Sequence, residues 1–357
     1  MIIPPLKHLY VNPSGECNLG CLHCWIAPER SATPFKTRKR SEMEFTPEEF
    51  SGLLEQAVEL GLINLKFTGG EPLLRSDFTQ LYRISAEHTQ KLTVDIETNG
   101  TLVPDGLWDL FEEYPPGSVS VSLDSVSSGE HDDFRNTPGA WKRSVAFIGE
   151  LVKRGISTQI IMSTAAFEVQ PVLEMASFCR NEGVSSLKIN PVQPVGRGES
   201  LLDHRGGIHT ILSFADELLR SCGMSVILDL PPALLPLNRI KYSGRCPIHN
   251  LLGVLPDGGI SFCGIGFSCG ELVMGNFLKD NIEDIWNNSE LLAKLRVQVP
   301  AEFEGICGNC IHKNRCLGNC VMQNFYSNSN FTSAYWMCRE ADRAGVFPQT
   351  RKIQPDA

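Results

Sequence analysis

The chain has 357 residues, 42% of them hydrophobic and 20% charged, with a formal net charge of −9. That length buries a large core and suits one big domain with a smaller one. The negative balance argues against a general binder of nucleic acid or of anionic membranes. Met1–Tyr10 lacks the apolar run of a signal peptide, and no segment reaches the ~20 apolar residues of a membrane span, so the expected location is the cytoplasm.

From residue 8 to about 197, short β-rich runs alternate with helical patterns. The strand-like pieces are "HLYVN", "INLKFTGG", "LTVDIETNG", "VSVSLDS", "STQIIMST" and "SLKINPV". In "TPEEFSGLLEQAVELG", Thr46 suits an N-cap, Pro47 the first helical position and Glu49 the return bond of a capping box, while Gly61 closes the helix. "GAWKRSVAFIGELVKRG" predicts a second strong helix closed by Gly155. The basic run Lys36–Arg40 reads as a solvated loop. Six strand–helix repeats imply a parallel sheet with right-handed crossovers, too few for a closed eightfold barrel. The expected fold is therefore α/β, a partial (β/α)6 barrel of the TIM type. Functional groups in such a fold collect at the C-terminal strand ends, where Cys17–Cys24, Gly69-Gly70-Glu71, Thr98-Asn99-Gly100 and Ser122-Leu123-Asp124 fall.

After residue 200 come a helix, "IHTILSFADELLRSCG", a β-run, "MSVILDL", and a connecting segment, "PPALLPLNRIKYSG". "LLGVLPDGGISFCG" predicts a hairpin around Asp257-Gly258, and "NIEDIWNNSELLAKLRV" a single helix. The remainder is dense in cysteine and poor in periodicity. The expected division is 1–235, 236–345 and a tail at 346–357.

Thirteen cysteines in a protein expected to occupy a reducing compartment read first as metal ligands. Cys17, Cys21 and Cys24 are an odd set. Three thiolates can hold three irons of a 4Fe–4S cluster and leave the fourth open, as three ligands leave a catalytic zinc open. The bland alternative is a zinc site completed by a remote ligand, with help from His23. Cys179 and Cys222 sit in helical patterns and read as buried apolar residues.

The trio has the CxxxCxxC spacing of radical SAM enzymes, which the chain resembles. His23 fills the ring-bearing position before the last cysteine. The resemblance implies that Cys17, Cys21 and Cys24 are catalytic through a cluster that binds S-adenosylmethionine. It implies that the Gly69-Gly70-Glu71 segment meets the methionyl amine, glycines there allowing close backbone approach. It likewise implies contacts to ribose and methionine carboxylate from Ser122 and Arg135. Asn99, in the matching TNG turn, is a further cofactor contact or a plain turn residue.

Cys246, Cys263, Cys307, Cys310, Cys316, Cys320 and Cys338 resemble the seven-cysteine pattern of the SPASM domain. The resemblance implies two auxiliary 4Fe–4S clusters, the outer on Cys307, Cys310, Cys316 and Cys338, the inner on Cys246, Cys263 and Cys320. Counting ligands leaves the inner cluster one short, and Cys269 is the nearby candidate, or else one iron stays open. Zinc knuckles are the alternative for this region. Sulfatase-maturing relatives have an acidic residue where this chain has Gly264, which disfavours that reaction.

The resemblance implies three 4Fe–4S clusters, S-adenosylmethionine, and radical modification of a ribosomally made precursor peptide. Residues 14–29 also resemble maturases of nif11-class leaders, including spliceases that excise tyramine from a Tyr-Gly site. The alternatives are a maturase forming thioether or carbon–carbon crosslinks, a small-molecule oxidase, and a non-enzymatic iron–sulfur or zinc scaffold. Expected partners are the peptide, a separate small leader-binding protein, and an electron donor such as flavodoxin or ferredoxin.

Overall fold

The computed structural model describes residues 3–88, 90–204 and 207–353. Residues 354–357 of the expected tail therefore lie outside the described residues. Strand β1 (His8–Val11) is followed by a small ladder of β2 (Glu16–Cys17) and β3 (Glu29–Arg30). The main sheet continues through β4 (Asn64–Phe67), β5 (Thr93–Thr98), β6 (Ser118–Ser122), β7 (Thr158–Thr164), β8 (Ser186–Pro191) and β9 (Val226–Leu228). Three later strands join it: β10 (Leu251–Val254), β11 (Gly259–Ser261) and β12 (Val273–Asn276). The order is β12-β11-β10-β1-β4-β5-β6-β7-β8-β9, parallel from β10 to β9 and antiparallel beyond β10.

The six expected strands stand in chain order with helices between them: α1 (Pro47–Glu59), α2 (Phe78–Ala86), α3 (Leu107–Glu113), α4 (Ser128–Phe134), α5 (Ala140–Lys153), α6 (Val169–Glu182) and α7 (Ile208–Ser221). The architecture is the expected partial barrel. "MSVILDL" extends it as a further parallel strand, β9, and the hairpin strand β10 pairs with β1 from the other side. Alternation builds the walls. Leu9, Val11, Leu65, Phe67, Val94, Ile96, Val119 and Val121 are buried within one apolar core that also includes Phe50, Leu54 and Phe78 of the helices. The intervening residues are polar: the Lys66 ammonium lies 3.6 Å from Glu97 and over the Tyr10 ring, while Ser120 and Gln159 bond across β6 and β7.

Helix α1 begins as its sequence requires. The Thr46 hydroxyl accepts from Glu49 N–H, the Glu49 carboxylate accepts from Thr46 N–H, and Pro47 opens the helix. The expected single helix at 281–297 is two, α8 (Ile282–Asn288) and α9 (Glu290–Gln298). Ser289 divides them because its extended backbone and its side chain cap the second helix at Leu292 N–H. The basic run is not simply solvated. Arg38 is paired with Glu16 and with the buried Glu44, and Arg40 donates to the Glu44 and Ser41 carbonyls. The cysteine-dense end folds as short helices α10 (Gly305–Gly308), α11 (Lys313–Cys316), α12 (Val321–Asn328) and α13 (Trp336–Arg343). Among the described residues, no helix is long and apolar enough to cross a membrane.

Candidate active site

Cys17 ends β2, and Cys21 and Cys24 follow on the loop beyond it, at the C-terminal rim of the barrel. Cys17 and Cys21 are buried with Leu19 and Ala140, and Cys24 packs against them. Main-chain N–H groups face two of the sulfurs, Leu19 to Cys17 and Ala27 to Cys24, while the Arg135 guanidinium stands 3.5 Å from Cys21 Sγ. Burial, with the charges of Cys21 and Glu71, pushes the Cys17 thiol well up. Burial also raises Cys21, with Arg135 opposing. Thiols so placed ionise readily only when a cation takes the charge, which is the chemistry of a metal-ligating set.

Arg135 is itself buried and held by Asp124, Nε to Oδ2 2.5 Å. Asp124 Oδ1 accepts from Ser163 N–H, and Asp124 N–H donates to His131 Nδ1. The Gly20 and Leu22 N–H groups donate to the Arg135 and Phe134 carbonyls, so the end of α4 clamps the cysteine loop. His23 stacks on Phe134 with centroids 4.4 Å apart, and burial lowers its pKa to about 3. Its Nδ1 is buried without a protein partner.

Glu71 is fully buried and ties two strand ends together. Its Oε1 accepts from Leu73 N–H and the Thr98 hydroxyl, and its Oε2 from Asn99 N–H. Burial still pushes it up to about 7. Asn99 donates to Asn18 Oδ1 and accepts from Thr101, so it braces the residue next to Cys17. The left-handed turn residue is Gly100, with φ of 69°. The glycine pair allows close approach to the chain itself. A Cβ on Gly70 would lie 2.2 Å from the Glu16 carbonyl oxygen, and one on Gly69 2.7 Å from Asn12 Oδ1. Gly70→Ala is therefore expected to cost roughly 1–3 kcal/mol, by the usual penalty of overpacking, read from the urea midpoint at unchanged m. Ser122 is half-buried at the end of β6.

Four of the C-terminal thiols, Cys307, Cys310, Cys316 and Cys338, line one pocket, and the Cys307 and Cys338 side chains are hydrogen-bonded. Cys246, Cys263 and Cys320 form a second electrostatic neighbourhood, which Asp229 at the end of β9 shares. Burial pushes Cys263 up to about 12 and Cys320 to about 11. The recurrent local device is an N–H donated back to sulfur from two or three residues on: Ile248 to Cys246, Ile265 to Cys263, His312 to Cys310, Gly318 to Cys316 and Met322 to Cys320. Cys269 is half-buried, and the charges acting on that second set do not include it. Cys179 is buried in the core and Cys222 half-buried. Among the described residues no three His, Cys, Asp or Glu side chains converge on a single-ion site.

Sequence reasoning placed Asp124 among the strand-end residues without giving it a role, and did not single out Arg197. Arg197 donates through Nε to the Cys21 carbonyl and through its N–H to the Cys24 carbonyl. The spacing of Asp124 and Arg135, eleven residues across a strand-to-helix loop, was the available signal for the first.

Comparison with known proteins places these features in a wider set. Residues 11–178 match the radical SAM superfamily and residues 246–311 the SPASM iron–sulfur cluster-binding domain. The AdoMet-dependent heme synthase of Methanosarcina barkeri is 27% identical over 317 residues, covering 85% of this chain and 87% of that one. The subtilosin biosynthesis protein AlbA of Bacillus subtilis is 26% identical over 331 residues, covering 87% and 68%. Streptococcus suis SuiB, in its crystal structure with precursor peptide SuiA, superposes with a TM-score of 0.72 at 17% identity, covering 94% and 76%.

Proposed function

The chain belongs to the radical SAM superfamily and carries a SPASM domain, and from that premise we propose that it is an enzyme modifying a ribosomally made precursor peptide. When bound, a 4Fe–4S cluster and S-adenosylmethionine supply a 5′-deoxyadenosyl radical that takes a hydrogen atom from the substrate. In this reading Cys17, Cys21 and Cys24 hold that cluster, and His23, the 69–71 segment, Asn99, Ser122 and Arg135 surround the S-adenosylmethionine. Arg135 keeps positive charge beside Cys21 Sγ, and the N–H donors offset charge on the other sulfurs. Residues 1–235 form the barrel and 236–345 the auxiliary domain. Cys307, Cys310, Cys316 and Cys338 hold an outer auxiliary cluster. Cys246, Cys263 and Cys320 hold an inner one, with Cys269 as the remaining thiolate.

The observation that carries the reading is this pair of C-terminal thiol sets beside an open barrel rim. AlbA, a bacteriocin biosynthesis protein, and SuiB, solved with its precursor peptide, support it. A second reading, heme synthesis, is favoured by the 27% identity to the heme synthases. A reducing cytoplasm, an electron donor such as flavodoxin or ferredoxin and a separate leader-binding protein complete the proposal.

Co-expression with each short open reading frame that neighbours the gene, followed by mass spectrometry of the peptides, tests it. Loss of tyramine is the expected result for splicing, and loss of two hydrogens for a crosslink. An unchanged peptide, with heme appearing instead when a heme precursor is supplied, would move the assignment to the second reading.

A further inference from the structure

We infer that the surface over the outer thiol set is the docking site for a small acidic electron-carrier protein, an inference that rests on the iron–sulfur reading above. Residues 305–339 contain all four thiols of that set and no aspartate or glutamate, in a chain that has 41 of them. They do contain His312, Lys313, Arg315 and Arg339.

The cations gather where the thiols are. Helix α11 carries Lys313, Arg315 and Cys316, and His312 precedes it. His312 and Lys313 line the same pocket as Cys307, Cys310, Cys316 and Cys338. Arg315 is exposed. Among the described residues the Lys313 ammonium bonds only the Gly308 carbonyl, and neither it nor Arg315 meets a carboxylate. Arg351, buried on the segment bridged to Cys310, adds positive charge and has neutral partners, the Thr350 hydroxyl and the Leu235 carbonyl. The other basic run, Lys36–Arg40, differs in this respect, because Glu16 and Glu44 answer Arg38.

The patch also has an apolar centre. Ile311 and Ile353 are 51% and 40% exposed. They stand on neighbouring segments, since Ile311 N–H donates to the Arg351 carbonyl and Ile353 N–H to the Asn309 carbonyl, each at 2.9 Å. Two bare isoleucines flanked by cations have the anatomy of a small transient interface, apolar within and charged at the rim.

Charge names the partner. At −9 the chain repels an acidic protein from most of its surface, and a face free of acids is where such a protein can approach. What lies beneath names its cargo. Cys310 directly precedes Ile311 and Cys316 directly follows Arg315, so the outer set sits one residue below the patch. A reduced flavin or iron–sulfur carrier seated there gives up one electron and the outer cluster takes it, with no bond made between the two proteins.

The test uses the iron-loaded full chain and, as the probe, a reduced acidic bacterial flavodoxin, mixed anaerobically and followed by flavin absorbance. Ile311→Glu and Arg315→Glu together are expected to slow electron transfer about tenfold at low salt, within the range that electrostatic steering supplies. The gap should narrow as added salt screens the charges. Iron content reports that the variant is intact, and Ile353→Glu decides alone if the double variant loads no iron. Reduced methyl viologen, a small cation, should reduce every variant as fast as the unmodified chain. An undiminished rate with flavodoxin, or an equal loss with viologen, would overturn the docking site. So would a dimer of the unmodified chain that these substitutions disperse, which would give the face to a second copy. An unmodified chain that takes electrons from viologen but none from flavodoxin would overturn the docking site and leave the iron–sulfur reading standing. One that loads no iron would overturn both.

Discussion

Replacement of Cys17, Cys21 and Cys24 together by alanine is expected to abolish 5′-deoxyadenosine formation and to lower bound iron from about twelve to about eight atoms per chain, one cluster of three. The fold should survive, because the three thiols pack in a small cluster with Leu19 and Ala140, apart from the main core. Anaerobic reconstitution, iron analysis and product chromatography read the result. The complementary removal of Cys307, Cys310, Cys316 and Cys338 should lower iron by about four as well, while leaving the trio able to load. A chain that binds zinc in place of iron, or one whose triple variant still cleaves S-adenosylmethionine, would end the assignment.

The second large effect concerns Asp124. Asp124→Ala is expected to destabilise the chain by about 3–5 kcal/mol, the penalty for stranding a buried charge, because Arg135 loses its partner inside the protein. Burial alone would raise the Asp124 carboxyl, but the Arg135 guanidinium, His23 and His131 hold it below the usual range. The stability it lends is therefore present above the unfolded-state pKa and lost as pH falls through the depressed folded value. His23 and His131, lowered by burial to about 3 and about 4, add loss in the same direction below pH 6.5, where the unfolded chain takes up protons that the folded chain refuses. Urea midpoints from pH 7 to pH 4 should fall steadily in the unmodified chain. A midpoint in Asp124→Ala within 0.5 kcal/mol of the original, in the spread of ordinary surface changes, would show that the pair is not structural.

What the sequence made legible was local. The capping box at Thr46, the strand–helix alternation and the cysteine spacings are short-range patterns, and each has a counterpart in the fold. Long-range pairing was not legible. Arg38 looked like part of a solvated charge run because nothing in its neighbourhood announces that Glu44 is buried beside it. The Ser289 break was hidden because serine is tolerated in helices and favoured at caps, and only its partner N–H decides between them. Ligand counting drew attention to Cys269 by its nearness in sequence to Cys263. The charge that reaches Cys246 and Cys320 from outside the motif is that of Asp229, the residue directly after β9 on the barrel.

Strand β1 has one further consequence, in time. It is hydrogen-bonded on one side to residues 64–67 and on the other to residues 251–254. The second partner leaves the ribosome some 240 residues after the first turn of chain, roughly 10–50 s later at ordinary synthesis rates of about 5–20 residues per second. Until then the strand that leads toward the cysteine loop has an open edge, and the thiols hang from an unfinished support. Iron loading at Cys17, Cys21 and Cys24 should accordingly be a late, post-synthetic event, and nascent chains arrested before residue 251 should bind iron at that loop poorly.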